Sequence, residues 1–106
     1  MSSGILGQAA PAATTLTDIY TCPTNIVAVM RVIITNRGIN DASFRVAVSP
    51  DGDAIEDKHF IAFDKLMAGN DSGSTIAFVV NEDDIVRVFA ENAEFSFTAT
   101  GEERAE

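Results

Sequence analysis

Tryptophan is absent from this chain of 106 residues, and tyrosine, histidine and cysteine occur once each. A single cysteine, Cys22, excludes an internal disulfide framework. A single histidine, His59, cannot make a zinc site of the usual kind without further His or Cys ligands. With no tryptophan and no tyrosine cluster, the aromatic platform on which a glycan-binding module stacks sugars is missing. Basic residues are scarce as well: 7 Lys and Arg against 16 Asp and Glu leave a net charge of −9. That charge repels nucleic acid and anionic membrane at long range, so neither is an expected partner. No apolar run approaches the roughly eighteen residues that a membrane-spanning helix needs. The opening MSSGILGQAAPAA lacks a basic region and a long apolar stretch, so it does not read as a secretory signal, and synthesis in the cytoplasm is expected. Walker loops, dinucleotide-binding glycine patterns and nucleophile motifs are missing too. No carboxylate pair stands out as a glycosidase couple. The expectation is a protein that is not an enzyme and carries no cofactor or metal.

What the chain does have is one long strand pattern, Asn25 to Asn36 (NIVAVMRVIITN). Ile26, Ala28, Met30, Val32 and Ile34 alternate on one face, as a period-two strand with a buried side requires. The other face, Val27, Val29, Arg31, Ile33 and Thr35, is too apolar for a plainly solvated surface. Branching at Cβ favours a pleated strand over a helix for this composition.

The rest follows in short runs. Ser2 to Ala13 is small, polar and alanine-rich, read as an extended arm that Ile5 and Leu6 could anchor on a neighbour. Thr14 to Thr21 is a Thr-rich strand. Ala42 to Ser49 returns after the Asn36-Arg37-Gly38 turn, with Phe44, Val46 and Val48 on one face, and is read as the hairpin partner of the long strand. Pro50-Asp51-Gly52-Asp53 is a turn. Ala54 to Met67 holds one helical turn at most and a strand from His59 to Lys65. Ser74 to Val80, with Ile76, Phe78 and Val80 on one face, Ile85 to Ala90 and Glu94 to Thr100 complete the set, and Gly101 ends the last. The pattern predicts one domain: an arm over 1–13, an all-β, single antiparallel β-sandwich of seven to eight strands with jelly-roll-like connections over 14–101, and an acidic tail over 102–106.

Three groups of residues invite a chemical reading. Asp51, Asp53 and Asp57, and separately Asn81 to Asp84, could gather round Ca²⁺, but neither has EF-hand spacing, and Asp, Asn and Gly are what turns prefer. His59 reads as strand-end packing or surface, and Cys22 as a small buried hydrophobe, with an intermolecular disulfide as the alternative. The few arginines carry more information. Arg31 and Arg45 lie on the non-core faces of strands expected to pair, and Val27, Val29 and Ile33 around Arg31 read as an interface core with an Arg anchor. The candidate interface is therefore Ile5, Leu6, Val27, Val29, Arg31, Ile33 and Arg45.

Several stretches resemble small virion proteins of tailed bacteriophages: GQAAPAATTLTDIYTCP, a long strand ending ITNRG, FRVAVSPDG, KHFIAFDKLMAGND and NEDDIVRVFAENAEFSFTATGEE. The likeness runs from Gly7 onward and rests on turns and strand patterns. It implies a β-sandwich present as a repeated accessory subunit of the virion, with no catalytic or metal residues carried over. Within that group, the implied role is a capsid decoration or cement subunit binding between major capsid proteins, itself a homo-oligomer, a trimer by analogy. A tail, neck or baseplate accessory protein is the first alternative, and a host-glycan binding module the second. Where Cys22 stands, such proteins usually carry an aliphatic residue.

Overall fold

In the computed structural model, which describes residues 3–105, the long strand is β3, Ile26–Asn36. Ala28, Met30, Val32 and Ile34 are buried, while Val29 and Ile33 remain 38% exposed on the opposite face. The period-two pattern thus sorts the strand into a core face and an outer face. Along one flank, β3 pairs through its whole length with β9, Phe95–Ala105. Along the other it meets β6, Asp71–Ser74, and β7, Phe78–Val80. Beyond β9 lies β1, Ser3–Ala9, which completes the first sheet in the order β1-β9-β3-β6, with β7 sharing the β6 side. The second sheet is β2-β8-β4-β5, built from Thr17–Thr21, Ile85–Ala90, Ala42–Ser49 and Phe60–Met67.

All pairings are antiparallel. Five of them, β1 with β9, β2 with β8, β3 with β6, β3 with β7, and β4 with β5, run the first part of the chain against the second. The chain is therefore one long double strand with its tip at β4–β5. Rolling it up adds the β3–β9 and β4–β8 pairings. This is a jelly-roll sandwich, whose wrapping buries the inner faces of both sheets against each other.

Between the sheets, Phe44 of β4 packs on Phe95 and Phe97 of β9, with ring centroids 5.9 and 6.3 Å apart. Aromatic pairs at this spacing add about 0.5–1.5 kcal/mol each beyond their buried area. One side of the sandwich is shut, because β1 lies tight against β2. A Cβ on Gly7 would fall on the Ile19 carbonyl oxygen. The Tyr20 hydroxyl of β2 also donates to Glu103 Oε2 of β9 at 2.6 Å. The opposite side, between β5 and β6–β7, stays open. Cys22 is buried, and its Sγ donates to the Ile26 carbonyl at 3.3 Å. A thiol in that position is shielded from solvent.

Four expectations need correction. β3 and β4 are not a hairpin: they belong to different sheets, and the turn between them crosses the sandwich. Buried Asn36 holds the crossover, its Nδ2 donating to the Asn40 and Met67 carbonyls and its Oδ1 accepting from Gly38 N–H. The arm expected over 1–13 is, from Ser3 to Ala9, strand β1, because its backbone groups pair with β9. The tail expected over 102–106 is, up to Ala105, the end of β9, opposite Ile26. Met1, Ser2 and Glu106 lie outside the described residues. Lastly, the expected strand over 74–80 is broken between β6 and β7. There Thr75 takes over the pairing, its N–H donating to the Val32 carbonyl and its Oγ1 accepting from Val32 N–H. Three residues, 75 to 77, span the two β3 positions between Ile33 and Met30. The surplus residue throws Ile76 outward to 82% exposure instead of into the core.

Candidate interaction face

Pairing registers decide which side chains share the outer face of the first sheet. Thr100 lies opposite Ile5 on one side and Arg31 on the other, so Ile5, Thr100 and Arg31 form one cross-strand row. Val29 stands opposite Val79 of β7. Ile33 and Gln8 flank Thr98, and Gln8 Nε2 donates to Thr98 Oγ1 at 3.2 Å. Threonine hydroxyls fill the gaps between the apolar groups, and Thr100 Oγ1 donates to the Gly4 carbonyl. The close approach of β9 to β3 depends on Gly101, since a Cβ there would collide with the Val29 carbonyl and Met30.

The result is a pleated surface with Ile5 63%, Val79 59%, Val29 38% and Ile33 38% exposed. Large apolar groups gathered on one face, instead of scattered singly, make this face a candidate interaction site. Arg31 stands among them. Of the described residues it is one of two cations, with Lys65, that have neither a carboxylate nor a hydrogen-bond partner, although the chain holds 16 acids. An arginine left unpaired beside apolar groups is a ready anchor for a partner's carboxylate.

Of the predicted interface residues, Ile5, Val29, Arg31 and Ile33 come together here. Val27 is half-buried at the end of the same face, opposite Arg104, whose own partner is Glu102 at 2.8 Å. Leu6 is a correction: it turns inward and packs on the core, because strand alternation puts it opposite in sense to Ile5. Arg45 is a second correction. Its strand lies in the other sheet, so it faces away from Arg31. Val79 belongs to the face and was not singled out, though its alternation with Phe78 and Val80 carried the signal.

Arg45 is occupied locally. Its guanidinium lies 4.2 Å from the Phe63 ring centre and 4.5 Å from that of Phe89, and its Nε and Nη2 donate to Asp64 at 2.6 and 3.2 Å. A bulge in β5 makes this possible, since Asp64 takes a left-handed φ of 48° and two successive residues reach one arginine. The hydrogen bonds from Arg45 hold the Asp64 carboxyl below its ordinary range.

In the acidic turns, Glu82 and Asp84 are committed to backbone, Glu82 accepting from Asn25 N–H at 2.9 Å. Asp84 accepts from Asp51 N–H and Asn81 N–H, at 3.1 and 2.8 Å. Among the described residues no three His, Cys, Asp or Glu side chains gather as metal ligands would. His59 is buried and its Nδ1 accepts from Glu56 N–H at 3.1 Å, closing the short 3-10 turn Asp57–His59. Arg87 ties the second sheet to its loops through Asp18, Ser49 and the Asp53 carbonyl.

Among known proteins, no family model, no curated protein and no solved structure matches this chain.

Proposed function

We propose that this protein is a non-enzymatic structural subunit of a tailed-bacteriophage virion, a decoration or cement protein that binds between major capsid proteins. The observation that carries the proposal is the outer face of the first sheet, where Ile5, Val29, Ile33 and Val79 surround an unpaired Arg31. The resemblance of the sequence to virion accessory proteins supplies the particle. The jelly-roll sandwich is a fold used by viral capsid domains, which supports the reading by analogy only, since lectins and cupins use it too.

The mechanism is mass action. A subunit that binds the assembled shell and not its separated parts stabilises the shell by RT ln(1 + [L]/Kd) per site. Many copies, each with a modest contact, then raise resistance to internal pressure. A closed homo-oligomer, a trimer by analogy, would add avidity through several attachment points.

The test is co-sedimentation of purified protein with particles that lack it, counting copies bound at saturation. Hundreds of copies together with greater heat resistance support a capsid cement protein. A few tens or fewer point to the tail, neck or baseplate. No binding overturns the virion reading and returns attention to a glycan partner.

A further inference from the structure

The open side of the sandwich holds the second concentration of exposed apolar groups. Ile61 and Phe63 of β5 are 44% and 55% exposed, and Ile76 at the break between β6 and β7 is 82% exposed. These three line a cleft of about 440 Å³ whose deepest lining residues are the core side chains Ile34 and Phe44. A volume of this order is large enough to take a protruding side chain with its neighbours. Lys65 stands in the lining, with Ser74 and Thr75 across from the β5 residues. It is the other described cation with no carboxylate or hydrogen-bond partner. The cleft therefore calls for an apolar side chain next to a carboxylate.

The chain itself carries that combination. In the turn between β3 and β4, Ile39 is 82% exposed, and Asp41 follows two residues later. Only one oxygen of Asp41 is engaged, accepting from Gly69 N–H at 3.3 Å. This turn borders the loop that joins the two walls of the cleft. Asn70 N–H donates to the Gly38 carbonyl at 2.8 Å, which places the turn beside the loop leading from β5 into β6. A protruding group and its receptor side by side on one molecule suit a closed assembly, in which each copy supplies one and accepts the other.

We infer that the cleft between β5 and β6–β7 receives the Ile39–Asp41 turn of a second copy of this chain, with Ile39 against Ile61, Phe63 and Ile76 and Asp41 meeting Lys65. The inference stands apart from the virion reading, because it concerns the free protein. The two apolar surfaces then have separate tasks, one joining copies to each other and one facing the partner. Knob-into-cleft contacts close at two or three copies equally well, and the mass reached at saturation reads which.

The experiment is sedimentation equilibrium of the purified full chain from micromolar to millimolar concentration, with no particle present. Wild type is expected to rise above its single-chain mass of 11.3 kDa. Lys65→Asp and Asp41→Lys, each alone, are expected to weaken association by about tenfold or more. The double variant carrying both changes is expected to restore it, since every contact of a dimer or a trimer then holds a matched pair. Ile76→Asp, at a side chain the core does not use, should abolish it while the thermal midpoint stays near wild type. A monomer at every concentration overturns the inference. So does an oligomer that Lys65→Asp and Ile76→Asp leave intact, or one that the double variant fails to restore. In either case, particle binding through the outer face of the first sheet remains a separate measurement.

Discussion

The Tyr20 hydroxyl donates to Glu103 Oε2 at 2.6 Å, a bond that joins a strand of one sheet to a strand of the other. Burial, and then the hydrogen bond to Glu103, raise the Tyr20 pKa well above its ordinary value of 10.0. A group whose folded pKa is raised contributes stability that is present below the unfolded pKa and lost as pH rises beyond it. Stability should therefore fall above about pH 10, where the unfolded chain ionises first. As this is the sole tyrosine, phenolate absorbance should appear only with unfolding. Tyr20→Phe should remove the alkaline loss and cost about 1.5–3 kcal/mol at neutral pH, the range for a hydrogen bond to a charged group. A phenolate signal that precedes loss of the strand circular dichroism would contradict this.

Asp64 predicts the opposite limb. Its folded pKa is lowered from 3.8, first by the hydrogen bonds from Arg45. The linked stability is present above that unfolded value and lost as pH falls through the folded one. Acid unfolding followed by denaturant titration should show a shallower loss below pH 4 in Asp64→Asn than in wild type. Equal acid limbs would show that the pair adds nothing, as exposed ion pairs often do.

On the outer face of the first sheet, Val29→Asp and Arg31→Glu should leave the fold intact, since both side chains point away from the core. Both should lose binding to particles, the arginine change by about tenfold or more if it anchors a carboxylate. Copy number per particle at fixed protein concentration is the readout. Wild-type incorporation of Val29→Asp would remove this face from the docking surface.

Gly101→Ala should destabilise by about 1–3 kcal/mol, the usual cost of overpacking, because β9 cannot withdraw from β3 without breaking its pairing. Gly7→Ala should act at the shut side and loosen β1 from β2. Hydrogen exchange separates the two. Gly7→Ala speeds exchange in β1 and β2, while Gly101→Ala lowers protection throughout the first sheet.

Cys22 should react with a thiol reagent only as fast as the protein opens, given its burial. Cys22→Val, which brings the aliphatic residue expected from the virion resemblance, should change stability by less than about 1.5 kcal/mol. Fast labelling of the native protein would reverse that assignment.

The sandwich and the sidedness of β3 were legible because a period-two pattern needs only neighbouring residues. Met30, Val32 and Ile34 announced the core, and Val29 and Ile33 the outer surface. Pairing partners were not legible. A turn such as Asn36-Arg37-Gly38 can return a chain to its own sheet or carry it across to another, and what settled the matter was Asn36 bonding to Met67, far along the chain. Ser3 to Ala9 looked like an arm because Gly, Ser and Ala have poor strand propensity, yet pairing with β9 overrides propensity. Ile76 looked internal because alternation assumes an unbroken strand. The cleft beside Lys65 was hidden for a related reason: its walls come from β5 and from the break after β6, and nothing local announces that those edges stay apart.

The pairing of β3 with β9 also has a consequence for how the protein is made. Ile26 to Asn36 finds its partner on that flank only in Phe95 to Ala105. A ribosome releases the chain from its N-terminus, so the long apolar strand leaves the exit tunnel with neither edge paired, and this flank waits until Phe95 to Ala105 emerge. Such distant pairing is slow to form and leaves apolar surface open meanwhile. Translation that stops before Phe95 therefore yields not a smaller sandwich but a sticky, unclosed sheet, and cells that make the fragment should sequester it with chaperones or degrade it.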